Sequence, residues 1–587
     1  MNTFSEKLKR LQTSNVICIL FLLIFCFASF ALPLLSGLPS GFDMVTDIRF
    51  ATELRDAMLT GHFFPGWAND NFGFGSIGIR FYPPLAFYLL ALTEMFTADW
   101  FWALWANLFF WMLLGSVGIF FFVKEWGTPT QGLIAGVGYA IVPQHLSEVF
   151  QFFLFAEFAA WGVIPFCFLF VTRICRGGNW IDCILFSISY ALLILIHIPT
   201  TIIVSLCFPV YVMAAMDWRN YFTVFTRLAV AIVLTVAATS FRWVTMIAEF
   251  NWLAHNDAKY SNGYFQYASW LFPNTLTSRN QFIYVMSSWL FDIAILMSVS
   301  LMIPAIIYLL KTRREPVSGV RRIMIAAVCT TTFAFFMLSR PSQFVWDALP
   351  FLQKLQFPWR WLSMLSFAAV TAFALSVPRL LTALRGRERL VAYPATALIV
   401  TIILFNITQI IIPSEPIPFA EFNEVEKKVL EEPMFEGWWP VWADEGAFEK
   451  RELVIAGDRS VDVSKWESLD RTFTVQEGES GKVRVATFYY PHWKATVNDF
   501  PTTIEPDQEG AILIPTPAEY SKIRLSFEEP GPYKIAKGVS LVTWILLLVI
   551  AASFYRKKRI AGTYLTMLVE PTYQLNSLLP KQEHSRS

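Results

Sequence analysis

The sequence predicts a polytopic α-helical membrane protein with a small extracytoplasmic β-domain. Of its 587 residues, 55% are hydrophobic and only 16% are charged, which is too apolar for a water-soluble fold of this length. Apolar runs of about 20 residues recur along the chain, and this length matches the hydrocarbon core of a bilayer. One long polar segment, residues 413–537, interrupts the pattern near the end of the sequence.

The apolar runs predict about twelve transmembrane helices. Lysine and arginine favour cytoplasmic loops, and an N-terminus inside the cell places the basic loops on that side throughout. The first run is too long for the core of a signal peptide, so we expect a retained span. The predicted spans are 16–38, 101–123, 130–144, 156–174, 181–197, 199–215, 222–242, 285–310, 322–338, 360–377, 390–412 and 538–555.

The first outer loop, residues 39–100, is predicted to contain two helices that lie flat on the membrane surface. Residues 46–60 carry an apolar stripe with helical spacing, which is typical of an interfacial helix. The run 82–96 is short for a crossing, and counting it as a span would place the following short basic loops outside. The stripe consists of Phe50, Ala51, Leu54, Ala57 and Met58.

These patterns divide the chain into three parts. Residues 1–412 form the transmembrane domain, and residues 538–587 form a final transmembrane helix with a basic cytoplasmic tail that contains RKKR at 556–559. Between them, residues 413–537 contain stretches such as KVRVATFYY, GAILIP and KIRLSF, in which apolar and polar residues alternate. Such alternation predicts strands, so this part is expected to be the β-rich domain on the outer face.

Composition also excludes several classes of function. The net charge is +1, and we find no basic tract, zinc-ligand spacing or glycine-rich phosphate loop, so neither nucleic acid nor ATP is an expected partner. All seven cysteines lie in or beside apolar segments. They are therefore interpreted as small core residues and not as a disulfide framework.

Asp43 and Asp47 are the first candidate site residues. They lie four residues apart, directly after the first span. If the helix begins early enough, both carboxylates share one face, and otherwise Asp47 lies near a helix N-terminus. The alternative role is helix capping, which is more plausible for Asp47 than for Asp43. We favour catalysis or metal binding for the pair.

Further polar residues collect on the same predicted outer face. Glu148 and Glu157 flank the turn between two spans, and His197 lies at the outer end of another. Ionisable groups at this depth are costly unless they face a cavity, form pairs or act on a substrate. The alternatives are a solvent-facing Glu148, a Glu157 that caps a helix or forms a pair within the bundle, and a His197 that belongs to the core.

Arg80, Arg340 and Arg360 are candidate phosphate-binding residues. The arginine fork suits phosphate, and a site at the membrane surface is where the phosphate of a lipid would lie. Arg360 stands where a span begins, in the stretch LQFPWRWL. The alternative for Arg80 and Arg360 is an interfacial arginine that reaches towards lipid headgroups.

Three stretches carry a resemblance to a known family. GHFFPGWANDNFGFGSIGIRFYPPLAFYL, HLSEVFQFFLFAEFAAWGVIPF and LQKLQFPWRWL resemble, in this order, motifs of the bacterial membrane family labelled 6-pyruvoyl-tetrahydropterin-synthase-related. That family is similar to the GT-C superfamily of polyprenyl-phosphate-sugar glycosyltransferases. The resemblance covers most of the chain and implies a GT-C-like fold with two outer juxtamembrane helices.

The resemblance also implies roles for individual residues. Asp43 matches the catalytic acid of the first loop, whereas Asp47 stands where relatives often carry a histidine, so the base is one of these two. Glu148 and Glu157 match acidic positions of the second outer loop, and Arg360 matches the arginine of the QFPWR motif. Among these, Asp43, Asp47 and Glu148 are the predicted catalytic residues. Asp47 and Glu148 are also candidate ligands of a divalent cation such as Mg or Mn.

The activity implied by the resemblance is hexosyl or pentosyl transfer with inversion. The donor would be a sugar linked to polyprenyl phosphate, and the acceptor a glycan, lipid or protein of the cell envelope. Arg360, Arg80, Glu157, His197 and Arg340 are the predicted substrate-binding residues. The implied location is the bacterial inner membrane, with both termini in the cytoplasm, a periplasmic active site and a β-domain outside the cytoplasm.

Two other classes of function stay open at this point. Many spans with buried charges also suit a transporter of lipid-linked sugars, although no inverted repeat is visible. A non-catalytic assembly partner is the other alternative. It would use its β-domain to bind glycan or protein through exposed aromatic residues in FYYPHW.

Overall fold

A computed structural model describes residues 15–41, 43–261, 266–273, 283–384, 393, 396–397, 400–404, 407–408 and 416–560. Within these ranges, nine helices are long and apolar enough to cross a membrane. The prediction of a polytopic helical membrane protein is therefore confirmed. The nine helices span Asn15–Ser36, Trp100–Trp126, Phe155–Cys175, Ile198–Ala215, Trp218–Ala238, Phe291–Lys311, Gly319–Leu338, Pro358–Thr382 and Gly531–Arg556.

The predicted span at 130–144 is not one continuous helix. Its first helix covers only Pro129–Ala140, or 12 residues, which is about 18 Å of helix. A capping box between Thr128 and Gln131 begins this helix. After it ends, Pro143 begins the separate helix Pro143–Phe150, and proline at a first helical position marks a new start.

Three other predicted spans do not each correspond to one continuous long helix among the described residues. The run 181–197 forms the helix Trp180–Ile196, whose 17 residues lie at the short end of the range for a crossing. Most of the run 390–412 lies outside the described residues. The segment 285–310 forms the helices Ile283–Ser300 and Ile303–Lys311.

The two helices predicted in the first loop are present. The first juxtamembrane helix is Met44–Leu59 and the second is Leu85–Thr97, and they pack against each other. Within the first, Phe50 and Leu54 are buried as predicted. Arg49 is buried as well, since its guanidinium donates to the carbonyls of Val429 (2.8 Å) and Glu432 (2.7 Å) at the end of helix Asn423–Glu431.

The β-domain contains two antiparallel sheets. Two short strands precede it in the chain, namely β1 (Leu38–Pro39) and β2 (Pro416–Ile417). The strands of the domain are β3 (Val454–Ile455), β4 (Val461–Trp466), β5 (Asp470–Val475), β6 (Gly481–Phe488), β7 (Trp493–Val497), β8 (Phe500–Thr502), β9 (Glu505–Pro506), β10 (Ala511–Thr516) and β11 (Ser521–Phe527). Their orders in the two sheets are β3-β6-β10-β9 and β4-β5-β11-β7-β8. Alternation holds in β11, where Ile523 and Leu525 are buried while Lys522 and Arg524 are exposed. The predicted small β-domain is therefore confirmed, and the final helix begins at Gly531.

The first loop and the β-domain share one hydrophobic core. Trp67 and Phe74 of the loop pack in the same cluster as Phe488 and Ile523 from the two sheets. A short pairing of Leu38–Pro39 (β1) with Pro416–Ile417 (β2) joins the same parts of the chain. The β-domain is thus fixed against the loop that carries the juxtamembrane helices.

The aromatic residues of FYYPHW are not the exposed surface that a binding partner would need. Tyr490 and Trp493 are 0% and 1% exposed, and Trp493 packs edge-on against Trp67 at a ring distance of 5.5 Å. Because these rings form the core that joins the β-domain to the loop, they have a structural role.

Candidate active site

A cavity of about 590 Å³ lies where the membrane helices meet the segments that lead into the β-domain. Its lining is mainly apolar and aromatic, with a small set of polar groups, which is the usual character of a ligand site. The polar and ionisable lining residues are Asp43, Thr46, Asp47, Tyr82, His197, His255, Tyr260, Lys354, Gln356 and Arg360. Sequence analysis predicted four of them as site residues, namely Asp43, Asp47, His197 and Arg360.

Asp43 and Asp47 lie on one turn at the start of the first juxtamembrane helix. The Asp47 amide donates to the carbonyl of Asp43 at 2.8 Å, so the two residues follow each other on one face. Asp43 occupies the N-cap position, yet its side chain accepts no capping hydrogen bond in the described helix. Both side chains line the cavity, which is the shared face that the spacing predicted.

The two carboxyl groups differ in protonation. Burial raises the pKa of Asp43 to about 6, and the positive charge of Arg360 opposes that rise. Burial raises the pKa of Asp47 well above its usual value; the charge of Asp43 raises it further, and a backbone hydrogen bond from Phe155 opposes the rise. At neutral pH, Asp43 is therefore mainly ionised, and Asp47 is the carboxyl of the pair that is harder to ionise.

Arg360 is one of two basic residues that line the cavity, with Lys354. It lies in the 3₁₀ turn Pro358–Trp361, where Nε is 3.2 Å from Glu157 Oε2 and Nη1 donates to the Leu355 carbonyl at 2.8 Å. Its guanidinium carbon lies 5.7 Å from the ring of Trp359. These contacts fix the plane of the guanidinium. Nη2 makes no hydrogen bond to any residue that the structure describes, so Nη2 can bind an anion.

Glu157, Glu148 and His197 surround this centre at different depths. Glu157 reaches it through Arg360, whereas Glu148 lies behind the cavity lining and accepts from Gln144 Nε2 at 3.0 Å. Burial and the charge of Glu157 raise the pKa of Glu148. His197 does line the cavity, and its Nδ1 lies 2.7 Å from Thr200 Oγ1 at the start of helix Ile198–Ala215.

Arg80 and Arg340 do not join the site, and their prediction as substrate-binding residues is corrected here. The Arg80 side chain is 0% exposed and does not line the cavity. Its guanidinium donates to Glu249 at 2.5 and 2.8 Å and to Glu529 at 2.9 Å. Arg340 is exposed in the turn Arg340–Ser342, away from the lining.

Other lining residues were missed in the sequence. His255 and Tyr260 lie in a segment of short 3₁₀ turns, which gives no periodic signal. Trp438 lies between helix Asn423–Glu431 and the first strand of the β-domain. Gln356 has a φ of 62°, a left-handed conformation that is uncommon outside glycine and often marks a functional turn. Gln356 is itself the second residue of the LQFPWR stretch, and this motif is the signal that could have identified it.

The acidic residues do not assemble into a recognisable metal centre. In the part of the chain that the structure describes, no group of three or more His, Cys, Asp or Glu side chains is placed to hold a metal ion. Asp47 lines the cavity, whereas Glu148 lies behind the lining. Among the described residues, these two predicted ligands therefore have no third side chain that would complete a metal site with them. The donor set does not fit a centre with three protein ligands.

Comparison with solved structures gives remote similarities of fold. The chain is similar to the arabinofuranosyltransferase AftD from Mycobacteria (TM-score 0.40, 15% identity, 68% of this chain and 26% of that one). It is also similar to the archaeal oligosaccharyltransferase AglB from Archaeoglobus fulgidus (TM-score 0.42, 10% identity, 72% of this chain and 60% of that one). The chain therefore spans about a quarter of the mycobacterial protein and 60% of the archaeal one. At such identity the similarity concerns the fold alone.

Sequence comparison is more specific. No curated protein matches the chain. The family model described as the 6-pyruvoyl-tetrahydropterin synthase related domain, a membrane protein, matches residues 79–414. This match covers more than half of the sequence and confirms the resemblance carried by its motifs. The chain therefore belongs to the 6-pyruvoyl-tetrahydropterin synthase related family of membrane proteins.

Proposed function

We propose that this protein is a membrane glycosyltransferase that takes a sugar from a polyprenyl-phosphate donor. The observation that carries the proposal is that Asp43 and Arg360 line one largely apolar cavity beside the membrane helices. A carboxylate ionised at neutral pH can accept a proton, and a fixed guanidinium can bind a phosphate. The apolar lining suits the prenyl chain of such a donor.

The chemistry follows from these two groups. The acceptor hydroxyl attacks the anomeric carbon of the donor sugar while the bond from that carbon to the phosphate oxygen breaks. The hydroxyl proton passes to the Asp43 carboxylate, and the polyprenyl phosphate leaves with its charge stabilised by Arg360. One base and one leaving group favour a single displacement, so the product has the inverted anomeric configuration.

The neighbouring residues support these roles. Glu157 holds the Arg360 guanidinium through its 3.2 Å ion pair. Asp47 lines the same cavity one helical turn after Asp43, and its charge would oppose the ionisation of Asp43 if it lost its proton. Glu148 lies behind this centre. A divalent cation bound by Asp47 and Glu148 stays a prediction, and no step of the proposed reaction passes through it.

Sugar transfer by purified protein tests the proposal. Full-length protein in lipid nanodiscs would be given a panel of radiolabelled polyprenyl-phosphate sugars, with and without EDTA. Wild type would be compared with Asp43→Asn and with Asp56→Asn, a matched control because Asp56 is an exposed acid on the same helix. Transfer that Asp43→Asn abolishes and Asp56→Asn retains is expected. No transfer from any donor, or equal transfer by both variants, would overturn the proposal.

A further inference from the structure

Tyr82 presents a free hydroxyl group to the cavity. Its side chain is partly buried and lines the cavity. The hydroxyl oxygen makes no hydrogen bond to any residue that the structure describes, and it is not sealed in the interior, because it keeps accessible surface. Polar groups at such depth usually have a partner. The hydroxyl is therefore available to a molecule that occupies the cavity.

The backbone and the neighbouring rings fix the position of this hydroxyl. The Tyr82 amide donates to the Gly78 carbonyl at 2.8 Å. Two prolines follow Tyr82, and a following proline favours the extended conformation that Tyr82 has, with a φ of −73° and a ψ of 140°. Its ring packs against Phe50 and Trp438, with centroids 5.1 and 5.3 Å apart. Because the side chain is already held, little conformational freedom is lost when a ligand binds to it.

The hydroxyl is close to both groups that carry the proposed reaction. Asp43 and Arg360 line the same cavity as Tyr82. Burial raises the pKa of the Tyr82 hydroxyl, and the negative charges of Asp47 and Asp43 raise it further. The positive charge of Arg360 opposes that rise. The hydroxyl therefore keeps its proton at neutral pH and can donate a hydrogen bond.

The proposed reaction indicates which ligand group this hydroxyl meets. The acceptor approaches beside the Asp43 base, and the phosphate leaves beside Arg360, so the sugar phosphate of the donor lies near both. Phosphate oxygens and sugar hydroxyls accept hydrogen bonds, whereas a prenyl chain has no acceptor. A cation at this position would pair with Asp43 and make it a weaker base. A neutral hydroxyl binds the substrate oxygen and leaves the base unpaired.

We infer that Tyr82 is a substrate-binding residue whose hydroxyl donates a hydrogen bond to the sugar phosphate of the polyprenyl-linked donor. This inference rests on the proposed function and adds a neutral donor to the charged one that Arg360 supplies. The accepting oxygen belongs either to the phosphate or to the sugar, and binding of the lipid phosphate with and without its sugar distinguishes the two.

Binding and transfer by Tyr82→Phe test the inference, because this substitution keeps the ring and removes only the hydroxyl. Tyr88→Phe is the matched control, since the Tyr88 hydroxyl donates to the Phe63 carbonyl and Tyr88 does not line the cavity. Full-length protein in nanodiscs would be titrated with a short-chain polyprenyl phosphate and with a panel of polyprenyl-phosphate sugars. Transfer kinetics follow for each donor that the wild type uses. Melting temperatures show that each variant is folded.

We expect Tyr82→Phe to bind a polyprenyl-phosphate sugar about tenfold more weakly than wild type, which corresponds to one lost hydrogen bond to a substrate oxygen. The kcat/KM for that donor should fall at least as much. Equal weakening for the polyprenyl phosphate without sugar would assign the hydrogen bond to a phosphate oxygen, and unchanged binding of that lipid would assign it to a sugar hydroxyl.

Stability without ligand gives a second readout. The melting temperature of ligand-free Tyr82→Phe should match that of wild type, because the hydroxyl has no partner among the described residues. Tyr88→Phe loses a hydrogen bond within the protein, so its melting temperature should fall while donor binding and transfer stay at the wild-type level.

Two outcomes would overturn the inference. One is donor binding by Tyr82→Phe that equals wild type, even if the KM for the acceptor rises, and the other is binding of none of these lipids to wild type. The outcomes also separate the inference from the proposed function. Full transfer by Tyr82→Phe would retain the glycosyltransferase and reject this role of Tyr82. Donor binding that depends on Tyr82, without transfer to any acceptor, would retain the binding role and reject the enzyme.

Discussion

Arg360 and Glu157 form an ion pair at the edge of the cavity, with Nε 3.2 Å from Oε2 and side chains that are only 13% and 2% exposed. The Glu157 carboxylate compensates the charge of the largely buried Arg360 guanidinium. Nη2 of Arg360 stays available to bind an anion. A phosphate bound there would meet an arginine that is already oriented, which reduces the entropy lost on binding.

Removal of Glu157 is expected to destabilise the protein because the Arg360 charge would stay buried without its partner. We expect Glu157→Ala to lower the free energy of unfolding by about 3 kcal/mol. A short-chain polyprenyl phosphate should restore part of the loss by replacing the carboxylate. Thermal melts with and without this lipid measure both effects. Glu94→Ala, which removes the more exposed pair with Arg55, should cost less than about 1 kcal/mol; equal losses would contradict the assignment.

The two aspartates should respond differently to the same substitution. Asp43→Asn replaces an ionised base and should reduce the transfer rate by at least about 100-fold. Asp47→Asn replaces the carboxyl that is harder to ionise and so is less suited to act as the base, and a loss below about tenfold is expected. Single-turnover transfer assays at pH 7.5 compare them. A larger loss in Asp47→Asn would make Asp47 the base.

The transfer rate should depend on pH through Asp43. With the pKa of this carboxyl at about 6, the base is protonated in acid, and the rate should fall about tenfold per unit of pH below that value. A pH profile of kcat/KM in wild type measures this. If the acid limb appeared near pH 4 instead, Asp43 would have an ordinary pKa and its burial would not influence catalysis.

The free energy of unfolding should depend on pH in the opposite direction to the transfer rate. The folded-state pKa of Asp43 is about 6, raised from 3.8, so the folded protein binds this proton more tightly than the unfolded chain. The resulting stabilisation is complete below pH 3.8 and is lost as the pH rises through 6. Asp43→Asn should therefore raise the melting temperature at pH 7.5 and leave it unchanged at pH 4. A lower melting temperature at pH 7.5 would show that ionised Asp43 stabilises the fold.

The sequence predicted the centre of the site because its signals are local. Asp43 and Asp47 are four residues apart on a helix whose apolar stripe is visible, and Arg360 lies in a motif beside a hydrophobic span. Placing basic loops on one side of the membrane brought these residues together on the other. Hydropathy and charge are thus sufficient where the membrane itself orders the chain.

The rest of the site depends on contacts between distant residues. His255 and Trp438 stack on each other in the cavity lining, yet no periodic pattern surrounds either of them. Arg80 looked like Arg360 in sequence, each beside aromatic residues at the membrane surface. Its partners Glu249 and Glu529 lie 169 and 449 residues away, and only the fold shows that they neutralise it.

Arg80 should therefore act on stability and not on donor binding. Its ion pairs join the first loop to helix Ser240–Glu249 and to the end of the β-domain, and Tyr490 and His492 also bond to Glu249. Arg80→Met would remove the guanidinium that neutralises the buried Glu249 and the half-buried Glu529, and we expect it to lower the free energy of unfolding by about 3 to 5 kcal/mol. Arg524→Met is the control, since Arg524 is 60% exposed beside Asp470 and should cost less than about 1 kcal/mol. Normal melting of Arg80→Met together with lost binding of polyprenyl phosphate would return Arg80 to the substrate site, because a structural arginine cannot be removed without loss of stability.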